Sequence, residues 1–361
     1  MFKRLLKKIA VAAMVPTLVL GLVGCGSEEG VTSVYTVEEA STTKVLSVGD
    51  YDIYMDEVAL YAIQILMTYS YTPSTMTDDD TIDTDKGYVI SLIRENKIIY
   101  NVAINNDVEL DDDDMEVVES GFDNIKTKVG DELLAAYGIS DELIEQVLIE
   151  QATISKFEND IENEMGQTIL EDVEEEYEDV LFTDYYYMLF PTVEVEDGDP
   201  KTDDDGEYVY VSDEEKEEVK AQAEEALERV RNGESYEDIA EEYGVTDYSR
   251  EGQGYTDSYG DQMNDIMNAL QDGECTDVFE DTLGYAFVYM INSDDEDLKD
   301  TFIDYYVDDT TSTEYDTLYD TWLATIEIDD EKDFEGTVWE DFDLYLLSEN
   351  MVKAGVLTEA E

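Results

Sequence analysis

The chain has 361 residues, 95 of them Asp or Glu against 20 Lys or Arg, no histidine, and a formal net charge of −75. That field repels phosphate backbones and excludes nucleic acid as a partner. The missing histidine excludes Ser-His-Asp and Cys-His nucleophilic chemistry, His-ligated zinc and the usual histidine pH switch. A hydrophobic share of 43%, 27 tyrosines and only 4 prolines nevertheless predict a folded core rather than a disordered acidic chain.

The first residues, MFKRLLKKIAVAAMVPTLVLGLVGCGS, put Lys3, Arg4, Lys7 and Lys8 before an apolar run and then small residues. This is the pattern of a secretory signal over residues 1–24. Leu22-Val23-Gly24-Cys25 resembles the lipobox of bacterial lipoproteins, which implies lipid attachment at Cys25 and cleavage before it. Removing the leader takes away four positive charges and no negative ones, leaving −79. Cys275 is then the remaining thiol. Its acidic neighbours disfavour a thiolate and make it a turn or strand residue rather than a nucleophile.

Residues 25–45 are small, polar and unpatterned, and read as a tether. VLSVGDYDIY follows as a short strand and turn. Over 55–69, Val58, Tyr61, Ala62, Ile65, Leu66 and Tyr69 share one helical face. An Asp/Thr-rich loop at 72–86 precedes a strongly apolar helix from Gly87. Helical pattern then continues through 115–129 and through a long run from Ile139, so that 46–180 reads as one mostly helical domain.

TDYYYMLF (183–190) switches to an aromatic strand ended by Pro191. Tyr208 to Val211 forms a short β-like run. A helix with Val219, Ala223, Ala226, Leu227 and Val230 at 3.6-residue spacing stops at Gly233, and Ser235 starts a second one. A loop with Gly252 and Gly254, a helix with Met263, Ile266, Met267 and Leu270, and the alternating strand Gly284–Ile291 complete a βαααββ module over 181–292. Residues 293–361 read as an acidic helical segment with Tyr315, Leu318, Tyr319, Trp322 and Ile326 on one face, then a weaker stretch around Trp339 and Phe342. The predicted fold class is α+β, with a small antiparallel sheet.

Three stretches carry a resemblance: VLSVGDYDIYMDEVALY, AEEALERVRNGESYEDIAEEYG and MNALQDGECTDVFEDTLGYAFVYMI. In order and spacing they resemble the PrsA/SurA family of extracytoplasmic foldases, which combine a helical chaperone domain with parvulin-type peptidyl-prolyl isomerase domains. The resemblance implies a SurA-like helical chaperone domain at 46–180 with the C-terminal helix packing back on it, and a parvulin-like domain at 181–292. Active parvulins flank a prolyl pocket with a histidine on the first strand and another on the last. The matching positions here hold Tyr187 and Ala286, the family's Cys or Asp is matched by Asp247, and a pocket aromatic is replaced by Met263.

The resemblance therefore implies a foldase, lipid-anchored outside a cell of Gram-positive type, that binds unfolded or proline-containing secreted polypeptides. Its isomerase activity is expected to be weak or absent, with no cofactor and no assigned catalytic residue. An active isomerase and an acidic adhesion or cation-binding lipoprotein are the alternatives. The acidic runs 78–80, 111–114 and 203–205 do not make a calcium loop: with Gly206 at position six, Lys201 and Ser212 fall where carboxylates are needed. No metal site is assigned.

Overall fold

The computed structural model describes residues 30–76, 79–196, 199–203, 205–260, 263–325 and 337–358. The leader, Cys25 and Ile326 lie outside them. The chain divides into two compact units, one built from residues up to 165 together with those from 311 onward, the other from 166–310.

In the first unit, β1 (Lys44–Val48) and β2 (Tyr51–Tyr54) form a hairpin that pairs Val48 with Tyr51, with Gly49 at φ 55° in the turn. A β-carbon is disfavoured at such an angle. The hairpin runs directly into α2 (Met55–Tyr69, taking α1 as the short turn Val37–Ala40). From Met55 to Leu66 every residue of α2 except Gln64 is buried, so α2 is the central helix. Around it stand α3 (Asp79–Asn105), α4 (Asp112–Lys128), α5 (Asp131–Ala136) and the first part of α6 (Asp141–Glu176). Ile53, Leu60, Ile63, Ile90, Ile93, Ile144 and Val147 form the middle of this core.

The carboxyl end of the chain belongs to the same core. Tyr315, Tyr319 and Trp322, late in α10 (Glu296–Leu323), pack on it, with Trp322 5.2 Å from Phe157 and the Tyr315 hydroxyl donating to Glu158. Trp339 is fully buried, stacks on Phe342 at 4.5 Å and donates from Nε1 to the Lys86 carbonyl. α11 (Leu344–Lys353) adds Leu347 and Met351. The stretch read as weak is therefore core. Its polar residues are also buried and bonded: Ser348 Oγ donates to the Tyr71 carbonyl, and Asn350 Nδ2 to the Thr32 carbonyl and the Tyr137 hydroxyl.

Two expectations change in this unit. Residues 30–44, expected to be an unpatterned tether, are bonded to it: the Thr32 amide donates to Asn350 Oδ1, and the amides of Val34 and Tyr35 to the Ala136 carbonyl. The expected loop 72–86 becomes helix from Asp79, because Asp85 and Lys86 are buried members of α3 rather than solvated charges. The Asp111–Asp114 run caps α4, with Asp111 accepting from the amides of Asp113 and Asp114, while Lys156 holds the Asp111 carboxyl down at about 2.

The second unit contains a four-stranded antiparallel sheet. Its strands are β3 (Phe182–Pro191), β6 (Arg250–Tyr255), β7 (Phe279–Asp281) and β8 (Gly284–Asn292), in the order β6-β3-β8-β7. A two-residue ladder, β4 (Val195–Glu196) with β5 (Asp199–Pro200), follows β3. Tyr208 and Tyr210, read as a strand, make only single bridges, to Thr202 and Val193.

Strand alternation sorts β3 between two faces. Tyr186, Met188 and Phe190 pack with Phe287 against α7 (Asp213–Arg231) and α8 (Tyr236–Tyr243), through Ala223, Ala226, Leu227, Val230, Ile239 and Ala240. Ser212 and Ser235 cap the two helices, and Gly244 at φ 70° ends the second. The expected glycine loop is instead the edge strand β6. A β-carbon on Gly252 would lie 2.5 Å from the Tyr185 ring, so only glycine lets that ring rest on the strand. The module is βααβαββ, one strand richer than the sequence pattern, and remains α+β.

Candidate functional site

Tyr185, Tyr187 and Leu189 face away from α7 and α8, into a cavity of about 550 Å³. Val288 of β8, in register with Tyr187, shares the floor. One wall comes from Met263 and from Met267 at the end of the single-turn α9 (Asn264–Met267). Phe279 and Asp281 come from β7, Leu283 follows it, Asp247 and Tyr248 come from the turn before β6, and Arg250 opens that strand. The lining combines aromatic and aliphatic side chains with Asp247, Arg250, Gln253, Ser258 and Asp281, an amphipathic surface of the kind small-molecule and peptide-anchor sites use.

The polar groups are organised. The Tyr187 hydroxyl donates to the Asp281 carboxylate. Burial first, and then that bonded charge, push its pKa well above the ordinary tyrosine value, so the hydroxyl stays protonated. The Arg250 guanidinium lies 6.0 Å from the Tyr187 ring centre. The Tyr187 and Phe279 rings stand 6.2 Å apart, and Tyr185 meets Tyr259 edge to face at 6.1 Å. The Tyr259 hydroxyl is bonded to that of buried Thr183. Each ring is therefore held by a neighbour rather than free to collapse into the space.

Of the four pocket residues expected from the sequence, Tyr187, Asp247 and Met263 line one cavity. Ala286 does not line it. It is fully buried in β8, between register neighbours Leu189 and Phe279. Directly paired residues share a sheet face, and Phe279 lines the cavity where Ala286 does not. Tyr185, Arg250, Tyr259, Met267 and Asp281 went unnoticed. Only the aromatic run of β3 signalled any of them. The Cys275 thiol, bridged by backbone to Tyr289, is pushed up to about 11 by burial and lies outside the cavity lining. Cys25 lies outside the described residues.

Residues 201–292 match the family described as Rotamase, PPIC-type PPIASE domain. The chain thus carries a parvulin-type peptidyl-prolyl isomerase domain. The matched span holds β6, β7 and β8, while β3, which brings Tyr187, precedes it.

Solved structures it is similar to include several PrsA proteins. PrsA from Bacillus subtilis is 14% identical, with 81% of this chain and 98% of that chain covered and a TM-score of 0.25. The peptidylprolyl isomerase PrsA from Bacillus anthracis is 16% identical, with 66% and 98% covered and a TM-score of 0.22. Foldase protein PrsA from Streptococcus pneumoniae is 14% identical, with 83% and 100% covered and a TM-score of 0.25. At these TM-scores the three add no weight beyond the matched domain. No curated protein matches the chain. Among the described residues no helix is long and apolar enough to cross a membrane.

Proposed function

We propose that this chain is an extracytoplasmic foldase, held to the membrane by lipid on Cys25, whose cavity binds prolyl segments of unfolded secreted polypeptides. The cavity beside Tyr187 carries the reading. It lies on the parvulin-type sheet, has the size of a site for a short peptide segment, and is floored by Leu189 and Val288 with Met263 and Met267 in one wall. The helical unit formed around α2 is read as the chaperone part.

Prolyl isomerisation breaks no covalent bond. It crosses a rotational barrier of about 18–20 kcal/mol. Apolar groups such as Met263, Met267 and Val288 that strip water from the prolyl amide favour the twisted, less polarised form and lower that barrier modestly. In this chain the hydrogen-bonding pair of histidines is gone. The Tyr187 hydroxyl, the nearest replacement, is engaged by Asp281. Binding is therefore the main activity and isomerisation a weak one.

Methyl NMR on the full chain tests this. A proline-containing tetrapeptide should shift the signals of Met263, Met267, Leu189 and Val288, and its Pro→Ala analogue should not. Equal responses to both peptides, or no response, would remove the prolyl reading. Loss of metabolic lipid labelling in Cys25→Ala tests the anchor.

A further inference from the structure

The cavity wall is polarised toward cations. Five aromatic rings, those of Tyr185, Tyr187, Tyr248, Tyr259 and Phe279, stand in it beside the carboxylates of Asp247 and Asp281. Aromatic faces attract cations through the ring quadrupole, and carboxylates do so through charge. The wall already shows the first of these attractions, since Arg250 sits over the Tyr187 ring. Arg250 is the single basic residue between Thr246 and Asp281, the stretch that supplies most of the margin, and ten Asp or Glu residues accompany it there. Asp281 is fixed by the Tyr187 hydroxyl, so its charge is held at the wall rather than on a free side chain.

We propose that the cavity selects prolyl segments in which Lys or Arg stands next to the proline. The basic side chain lays its methylenes along the Tyr187 and Phe279 rings and brings its charge toward Asp281 and Asp247. The proline takes the apolar side formed by Met263, Met267 and Val288. Long basic side chains suit such a site because the stem is apolar and only the tip is charged. A space of about 550 Å³ is roughly 10 Å across, so a cation inside it lies close to one Debye length or less from both carboxylates at 0.1 M salt. An acidic neighbour of the proline meets the opposite field and is rejected. This inference rests on the prolyl-binding reading and adds to it the class of segment chosen.

The test titrates the full chain with acetyl-Ala-Xaa-Pro-Ala amides, Xaa being Lys, Gln or Glu, and with a Lys-Ala control that lacks proline. At 20 mM salt the Lys peptide should bind roughly fivefold tighter than the Gln peptide, and the Glu peptide should be weaker again by a similar factor. At 1 M salt, where the Debye length is about 3 Å, the three should converge. The double variant Asp247→Asn and Asp281→Asn, which keeps an acceptor for the Tyr187 hydroxyl, should bring the Lys-to-Gln ratio close to one. Arg250→Ala should raise the ratio, so the two variants move in opposite directions and misfolding does not explain both. Equal binding of Lys, Gln and Glu peptides overturns the cationic preference and leaves the prolyl reading standing. A ratio that survives the double variant, or that the Lys-Ala control reproduces, assigns the preference to the diffuse field of the chain and also overturns it. If none of the peptides binds, the prolyl reading falls, and the inference with it.

Discussion

Replacing Asp85 by Asn should stabilise the helical unit, and only above acidic pH. Asp85 lies in α3 with 8% of its surface exposed, and its Oδ2 has no hydrogen-bond partner among the described residues. Burial pushes its carboxyl up to about 6. In the unfolded chain the same group titrates near 3.9, so the difference is about 2 pKa units, or a ceiling of about 3 kcal/mol at 1.36 kcal/mol per unit. Water reaching a side chain that is not wholly enclosed reduces this to about 1–2 kcal/mol. The sign follows from proton binding. The native state holds the proton more tightly than the unfolded state, so the carboxyl costs nothing below about pH 4, and stability is lost as pH rises through 6. Asn keeps the shape and removes the titration. Urea unfolding at pH 8 should therefore place the variant midpoint about half a molar above the parent, and at pH 4 the two should coincide. A gap that is the same at both pH values, or a less stable variant at pH 8, would refute the argument.

The remaining predictions concern packing and buried charge. Lys97 is 2% exposed and lies 2.8 Å from Glu57 Oε1 and 2.5 Å from Glu150 Oε2. Lys97→Met leaves two buried carboxylates facing each other and should cost about 3–5 kcal/mol in urea unfolding. A further change of Glu57 and Glu150 to Gln should recover most of that loss, and a loss below about 1 kcal/mol would contradict the buried triad. Gly252→Val drives a side chain into the Tyr185 ring and should cost about 1–3 kcal/mol while shifting the Leu189 and Val288 methyl signals; unchanged stability would mean that the ring does not rest on β6. Trp339→Ala should cost about 3–5 kcal/mol by thermal unfolding, and a surface-like effect below 0.5 kcal/mol would remove the carboxyl-terminal stretch from the core.

What the sequence revealed and what it hid divide along physical lines. Helices with clean apolar stripes, such as α2 and α7, were legible because nothing but burial shapes their pattern. β6 was hidden because REGQGY lacks apolar alternation. Its Gly252 receives the Tyr185 ring, a requirement set by a residue 67 positions away, and its Gly254 receives the nearby Tyr259 ring. The first turns of α3 read as loop because the buried positions there are charged. Lys86 is accommodated by donating to the Glu340 carbonyl, a partner 254 residues distant. α11 was blurred in the same way, since Ser348 and Asn350 are fully buried polar residues satisfied by remote backbone. At the cavity, three of the four positions that family likeness suggested, Tyr187, Asp247 and Met263, share one lining. Ala286 does not line it, although its register neighbours Leu189 and Phe279 do, because its methyl is fully buried between those larger side chains. Asp281 was invisible among so many carboxylates until the fold placed it against Tyr187.

The bond between Thr32 and Asn350 sets an altitude. With Thr32 fastened to the helical unit, a lipid on Cys25 would have only seven residue steps of chain between it and folded protein. Fully extended, seven residues span at most about 25 Å. Under the proposed anchor, the helical unit would be on a short leash, within little more than one protein radius of the bilayer, and would meet polypeptides as they emerge from the membrane rather than after they have diffused away.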